Sequence, residues 1–260
     1  MKFEISNCAF GEIYHAAFAY KLETSVTLEF KDFPIGKHFF EEFFEEKKRE
    51  PDQKEAPKPL GETANIIRDR YHEGIRQEIA AKILRRADSE NWQLPHSFRN
   101  LINTEPKVLL WHRNKQYKSH RNSGTMLINQ LAELCRKHST LPILVGPLLP
   151  AHNCHELGEF WTDGFFNEHS IAKQLWCINR LFERGGGIAN VGVMSGAMDG
   201  SAMVFGHKTV FLARHADATP RMQKVTASVP NLIWQQIDFT GNLVRLNDSD
   251  LSAVERRIWC

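Results

Sequence analysis

Ile188–Ala213 reads IANVGVMSGAMDGSAMVFGHKTVFLA. Its first part, Ile188–Val193, is apolar and β-branched, the composition of a strand buried on both faces. Ser195 and Gly196 then make a tight turn, Ala197–Phe205 a short helix of small and apolar residues, and Thr209–Leu212 a second strand. Gly206 falls just past the helix, where a residue in the left-handed conformation is wanted. In a parallel sheet the Ser195 turn lies at the carboxyl end of its strand, where open α/β sheets hold their ligands. The backbone amides of Gly196, Ala197 and Met198 have no intrahelical partners there, and with the helix dipole behind them they form an anion site. Asp199, in the first turn, is near enough to share a ligand with Ser195. An ordinary strand-to-helix connection, with Asp199 only complementing the dipole, has the same signature.

Upstream, the pattern repeats. Lys107–His112 (KVLLWH) is a buried strand that runs into the densest polar and cationic loop of the chain, from Arg113 through Arg121 and Asn122. Thr125–His138 is a helix, and Leu141–Val145 the next strand, ending at Gly146-Pro147. Leu148–Glu168 reads as a loop. It carries His152, Cys154, His155, Glu156, Glu159 and Asp163, a crowd that lacks the paired spacing of a zinc site, so no metal is expected. His169–Arg184 is a helix leading through three glycines to Ile188. Downstream, a helical segment reaches Val225, Asn231–Gln236 is a last strand, and a helix capped by Asp248 or Ser249 runs to Ile258.

The first hundred residues hold a smaller unit. Lys2–Ser6 and Thr24–Phe30 are strands joined by a helical run that opens Gly11-Glu12 and continues through His15. A β–α–β unit of this kind has parallel strands and a right-handed crossover. Asp32–Phe44 is an aromatic-rich helix. Glu45–Pro59 is charged, with three prolines, and reads as a solvated or disordered insert. Ala64–Ala87 reads as one long amphipathic helix, with Ile67, Tyr71, Ile75, Ile79 and Ile83 on its inner side. Alternating strands and helices on both sides of Thr104-Glu105-Pro106 give an α/β chain of two Rossmann-like domains. Residues 1–105 form the smaller one and 106–260 the larger, with their parallel sheets facing a cleft.

With 33 basic and 31 acidic side chains the formal charge is +2, which argues against a dedicated nucleic-acid binder. Five widely spaced cysteines without a CxxC pair fit a reducing, cytoplasmic location and no disulfide framework. No run has the length of a membrane span, and the N-terminus does not resemble a signal peptide. GxSxG, GxxxxGK[ST] and GxGxxG are all absent.

The loops at the strand ends contain Gly11-Glu12, His112 to Asn122, and Ser195 to Asp199. Together they supply helix N-termini, arginines and a carboxylate, a set suited to a diphosphate plus a ribose. Arg113 and Arg121 offer the bidentate fork that phosphate oxygens favour. VGVMSGAMDGSAMVFGHKTVFLA resembles the C-terminal nucleotide-sugar motif of GT-B glycosyltransferases, in particular fucosyltransferase-like and heptosyltransferase-like members. VLLWHRN resembles the strand and His-x-Arg-type loop whose arginine meets the donor diphosphate, with the departure that Arg113 directly follows His112 here, and FGEIYHAAFAYKL resembles the helix that opens the acceptor domain. The resemblance implies metal-independent transfer of a sugar from a nucleotide-diphosphate donor to a glycan or other hydroxyl acceptor, with no cofactor. Gly11, His112, Arg113, Arg121, Asn122, Gly146, Ser195, Gly196, Ala197 and Asp199 would hold the donor, and Glu12, His15 or Asp199 would be the base. A non-catalytic nucleotide- or glycan-binding scaffold and a doubly wound phosphate-processing hydrolase use the same anion sites. The sequence leaves the oligomeric state open.

Overall fold

Apolar runs with little polar interruption (KVLLW, LPILV and TVFLA) become inner strands, and every strand pairing among the described residues is parallel. A computed structural model describes residues 1–6, 10–46, 49–50, 52, 54–102, 106–113, 123–146, 154–158, 170–184, 186–193, 196–213, 220–237 and 245–260. The first part contains β1 (Lys2–Ile5), α1 (Phe10–Leu22), β2 (Thr27–Phe30) and α2 (Pro34–Phe43). Then come α3 (Thr63–Arg70), α4 (Glu73–Ser89) and the short α5 (His96–Arg99). The second part begins with β3 (Lys107–Trp111), α6 (Thr125–Lys137), β4 (Leu141–Val145) and β5 (His155–Gly158). It continues with α7 (Ser170–Glu183), β6 (Gly187–Val193), α8 (Gly196–Phe205) and β7 (Thr209–Ala213). It ends with α9 (Pro220–Ser228), β8 (Leu232–Gln236) and α10 (Asp248–Trp259).

β1 and β2 make a two-stranded parallel sheet. The other six strands form one parallel sheet in the order β5-β4-β3-β6-β7-β8. Counted from β3, that is the 3-2-1-4-5-6 order of a doubly wound Rossmann-like sheet. The direction of winding reverses between β3 and β6, so the sheet's switch point lies at Trp111 and Val193. Successive strand residues alternate between two apolar layers. Val108, Leu110, Leu144, Val191 and Leu212 face α6 and α10. Leu109, Trp111, Ile143, Val145 and Phe211 join a core that also contains Phe3, Phe18, Phe44, Ile67 and Ile79 of the first part.

α8 lies inside the core. It packs against α1, α4 and α7 as well as against β7 and β8, and every residue from Met198 to Val204 is buried. A helix without a wet stripe belongs inside a core, and the small side chains of GAMDGSAMVF allow neighbours to approach from every side. Gly206 ends it at φ +72°, as its place in the sequence demands. Among the described residues no helix is long and apolar enough to cross a membrane.

Four details differ from the sequence expectation. The long helix over 64–87 is broken at Tyr71-His72: Tyr71 turns extended (ψ 136°) to lie 6.1 Å from the Phe18 ring, and His72 caps α4 by accepting from Ile75 N–H. A short edge strand, β5, interrupts the segment read as a loop. The cap of α10 is Asn247, whose Oδ1 accepts from Asp250 N–H at 2.8 Å.

The described part of the charged segment 45–59 is mostly exposed, as its composition implies, but it is anchored at Arg49 and Lys58. Lys58 N–H donates to Lys2 O at 2.8 Å, and Arg49 Nη1 lies 2.8, 2.9 and 3.2 Å from the carbonyl oxygens of Tyr20, Glu23 and Val26. Its guanidinium also sits 4.0 Å over the Tyr20 ring. Arg49 therefore satisfies a carbonyl in the last turn of α1, where a cation is also favoured by the dipole, and two more in the turn that leads to β2. Arg49→Ala is expected to cost about 1–2 kcal/mol of stability, read as a lower urea midpoint with an unchanged m-value.

Candidate functional site

β3 ends at Trp111, and the next two residues are held in place from both sides. His112 is buried, and its N–H donates to Val145 O at 2.8 Å, which extends the pairing of β3 with β4 by one step. Arg113 N–H donates to Ser123 Oγ at 2.9 Å, and Ser123 N–H donates back to Arg113 O at 3.1 Å. Those two bonds close the base of the cationic loop, and Ser123 is a site-supporting residue that the sequence did not single out. Gly146 follows β4 at φ +119°, and a Cβ there would lie 2.5 Å from His112 O. Both the backbone conformation and the close approach require glycine. Arg121 and Asn122, in the same loop, lie outside the described residues, as does Ser195.

β6 delivers α8, which begins at Gly196, so Gly196 and Ala197 occupy the first turn, with backbone amides that have no intrahelical partner. Because β6 lies beside β3, this helix start and the Arg113 turn sit at the same end of adjacent strands. Gly11 and Glu12, read both as a strand-end loop and as the opening of the helical run, lie inside the first turn of α1, which begins at Phe10. Glu12 is half-buried and His15 stands one turn further along.

Two of the three candidate bases meet. His15 Nε2 is 3.2 Å from Asp199 Oδ2, with side chains only 1% and 4% exposed. The contact has ion-pair distance without hydrogen-bond geometry, and neither ring nitrogen of His15 has a hydrogen-bond partner among the described residues. Beside it the Tyr14 ring covers Gly200. Burial, reinforced by the Asp199 carboxylate, pushes the Tyr14 phenol well above its ordinary value. Asp199 is thus a link between α8 and α1 rather than an open face of the helix start.

A second buried polar system was not legible. Trp111 Nε1–H donates to Asn190 Oδ1 at 2.9 Å, and Asn190 Nδ2 lies 2.9 Å from Ser201 Oγ and 3.4 Å from Thr209 Oγ1. Ser201 Oγ is 2.8 Å from His207 Nδ1, and His207 Nε2 is 3.0 Å from Asn179 Oδ1. His207 stacks on Phe182 with ring centroids 3.9 Å apart. A serine, a histidine and an amide in a row look like a nucleophilic triad, but Ser201 is fully buried, and it meets Nδ1 rather than Nε2. The only sequence signal was polar residues in apolar company: Asn190 in a β-branched strand and Ser201 in a small-residue helix.

Two surface hollows lie elsewhere. One of about 400 Å³ sits at the amino ends of β4 and β5, lined by Arg136, Thr140, Cys154 and His155. The other, of about 460 Å³, lies along β8 beside Thr226, Trp234 and Arg257. Among the described residues no three His, Cys, Asp or Glu side chains converge as a metal cage. His152, Glu159 and Asp163 lie outside them. No protein-family model, curated protein or solved structure matches the chain.

Proposed function

We propose that the chain is a GT-B-type glycosyltransferase that moves a sugar from a nucleoside-diphosphate donor to an acceptor hydroxyl without a metal. The observation that carries this is the switch point of the six-stranded sheet, which brings Arg113 and the first turn of α8 to the same end of adjacent strands. A switch point at the carboxyl edge is where such sheets take nucleotides. Arg113 would grip the diphosphate oxygens, and the amides of Gly196 and Ala197 would add hydrogen bonds. As the bond from the anomeric carbon to the diphosphate breaks, its electron pair passes to the leaving phosphate oxygen, and these groups stabilise that charge. The acceptor oxygen forms the new bond and gives its proton to a base. Glu12 is the best placed of the three candidates, because His15 and Asp199 are enclosed against each other.

The same enclosure favours a second reading, a nucleotide-binding scaffold that does not turn over. Titration with GDP, UDP and ADP tests the common core of both. One of them is expected to stabilise the protein, by about 2.7 kcal/mol at a hundredfold excess over its dissociation constant. Arg113→Ala is expected to weaken that ligand about tenfold or more, the worth of a charged hydrogen bond of about 1.5–3 kcal/mol. If none binds the folded protein, both readings fail. Acceptor-dependent release of the diphosphate from its sugar conjugate, lost in Glu12→Gln, separates the enzyme from the scaffold.

A further inference from the structure

We infer that Asn190, Ser201 and His207 are positioning residues for the switch-point site, acting as a one-way hydrogen-bond relay that fixes the end of β3 against the body of α8. The inference rests on the nucleotide-binding reading above. The polarity of the chain follows from donor inventory. An indole N–H can only donate, so Asn190 presents its carbonyl oxygen to Trp111 and its amide hydrogens to Ser201 and Thr209. Thr209 Oγ1 already donates to His207 O at 3.1 Å, so it accepts from Asn190. Ser201, accepting from Asn190, has its own hydrogen left for His207 Nδ1 at 2.8 Å. Nδ1 is then an acceptor, and Nε2 carries the hydrogen that reaches Asn179 Oδ1 at 3.0 Å. Asn179 Nδ2, the far end, is buried without a partner among the described residues.

Each member stands on a different element: Trp111 on β3, Asn190 on β6, Ser201 on α8, His207 between α8 and β7, and Asn179 on α7. Trp111 is next to His112 and Arg113, and Ser201 stands in the helix whose first turn is Gly196 and Ala197. The relay therefore fixes the distance between the cation and the amides that would share a diphosphate. A preorganised site needs its groups held within about 0.5 Å by such supporting bonds. Removing Ser201 Oγ cuts the chain at its middle, leaving a donor on one side and an acceptor on the other.

The test is a double-mutant cycle on the affinity of the nucleoside diphosphate that wild type binds. Its corners are wild type, Ser201→Ala, Arg113→Lys, which keeps charge but loses the bidentate fork, and the double variant. Ser201→Ala is expected to weaken binding about tenfold in wild type and less than twofold in Arg113→Lys, because coupled groups are not additive. Ser201→Cys, retaining a weak donor, should fall between, and it is read in place of Ser201→Ala if that variant does not fold. A lower melting temperature with unchanged affinity would make the relay purely structural and overturn the inference while leaving the nucleotide reading intact. Equal weakening in both backgrounds would overturn it too. No nucleoside diphosphate bound by wild type would remove both.

Discussion

Gly200→Ala is expected to destabilise the protein by about 2–3 kcal/mol, although the same exchange in an exposed helix gains about 1 kcal/mol. An alanine Cβ at this position would lie 2.4 Å from Tyr14 Cζ and 2.6 Å from Tyr14 Oη. The ring has no room to retreat: Tyr14 is 3% exposed and meets Phe39 edge-on at 5.9 Å. Either the ring leaves its rotamer or α1 and α8 move apart, and the second route also stretches the His15–Asp199 contact one residue away. Urea unfolding of Gly200→Ala, Tyr14→Leu and the double variant separates these ideas. Each single variant should lose stability, the first by overpacking and the second by a cavity, and the pair should lose less than the sum. Strict additivity would mean that Gly200 is not the contact that sets the distance between the helices.

That contact also marks the boundary of what the sequence revealed. The parallel strands were legible because a strand buried on both faces must be apolar throughout, as in KVLLW, LPILV and TVFLA. Their carboxyl-end loops followed from the alternation of strands and helices, which is why Arg113 and the start of α8 could be named together. The break at His72 was hidden because Ile67, Tyr71, Ile75, Ile79 and Ile83 keep helical spacing straight through it; only the side-chain cap betrays it. Arg49 looked like part of a solvated charge run because its partners are backbone carbonyls, which no residue pattern displays. Asp199 was legible as a first-turn acid, but its burial against His15 depends on α1 arriving from the other end of the chain. The relay was invisible for the same reason: Trp111 and Asn190 are 79 residues apart, and one polar residue in an apolar strand does not name its partner.

Stability is expected to fall by about 2 kcal/mol between pH 7 and pH 5 through His207 alone. Burial, with the Arg76 charge adding to it, lowers the folded pKa of His207 to about 3, whereas an unfolded histidine titrates near 6.5. Between those values the unfolded chain binds a proton that the folded chain refuses. His207's contribution is therefore complete above about pH 6.5 and is lost as pH falls through the window toward 3, at up to roughly 1.4 kcal/mol per unit. The refusal has a structural cause besides burial. A second ring proton would sit on Nδ1, the atom that accepts from Ser201. The carboxylates held below their ordinary range, Glu23, Glu46, Asp69 and Glu255, bind protons at lower pH and add little slope here. Urea midpoints across this range for wild type and His207→Gln provide the check. Glutamine can donate and accept but does not titrate, so that variant should be less stable throughout, having lost the stacking on Phe182, yet nearly flat from pH 7 to pH 5. An undiminished slope in His207→Gln would place the titrating group elsewhere and remove the assignment of a neutral, one-way relay.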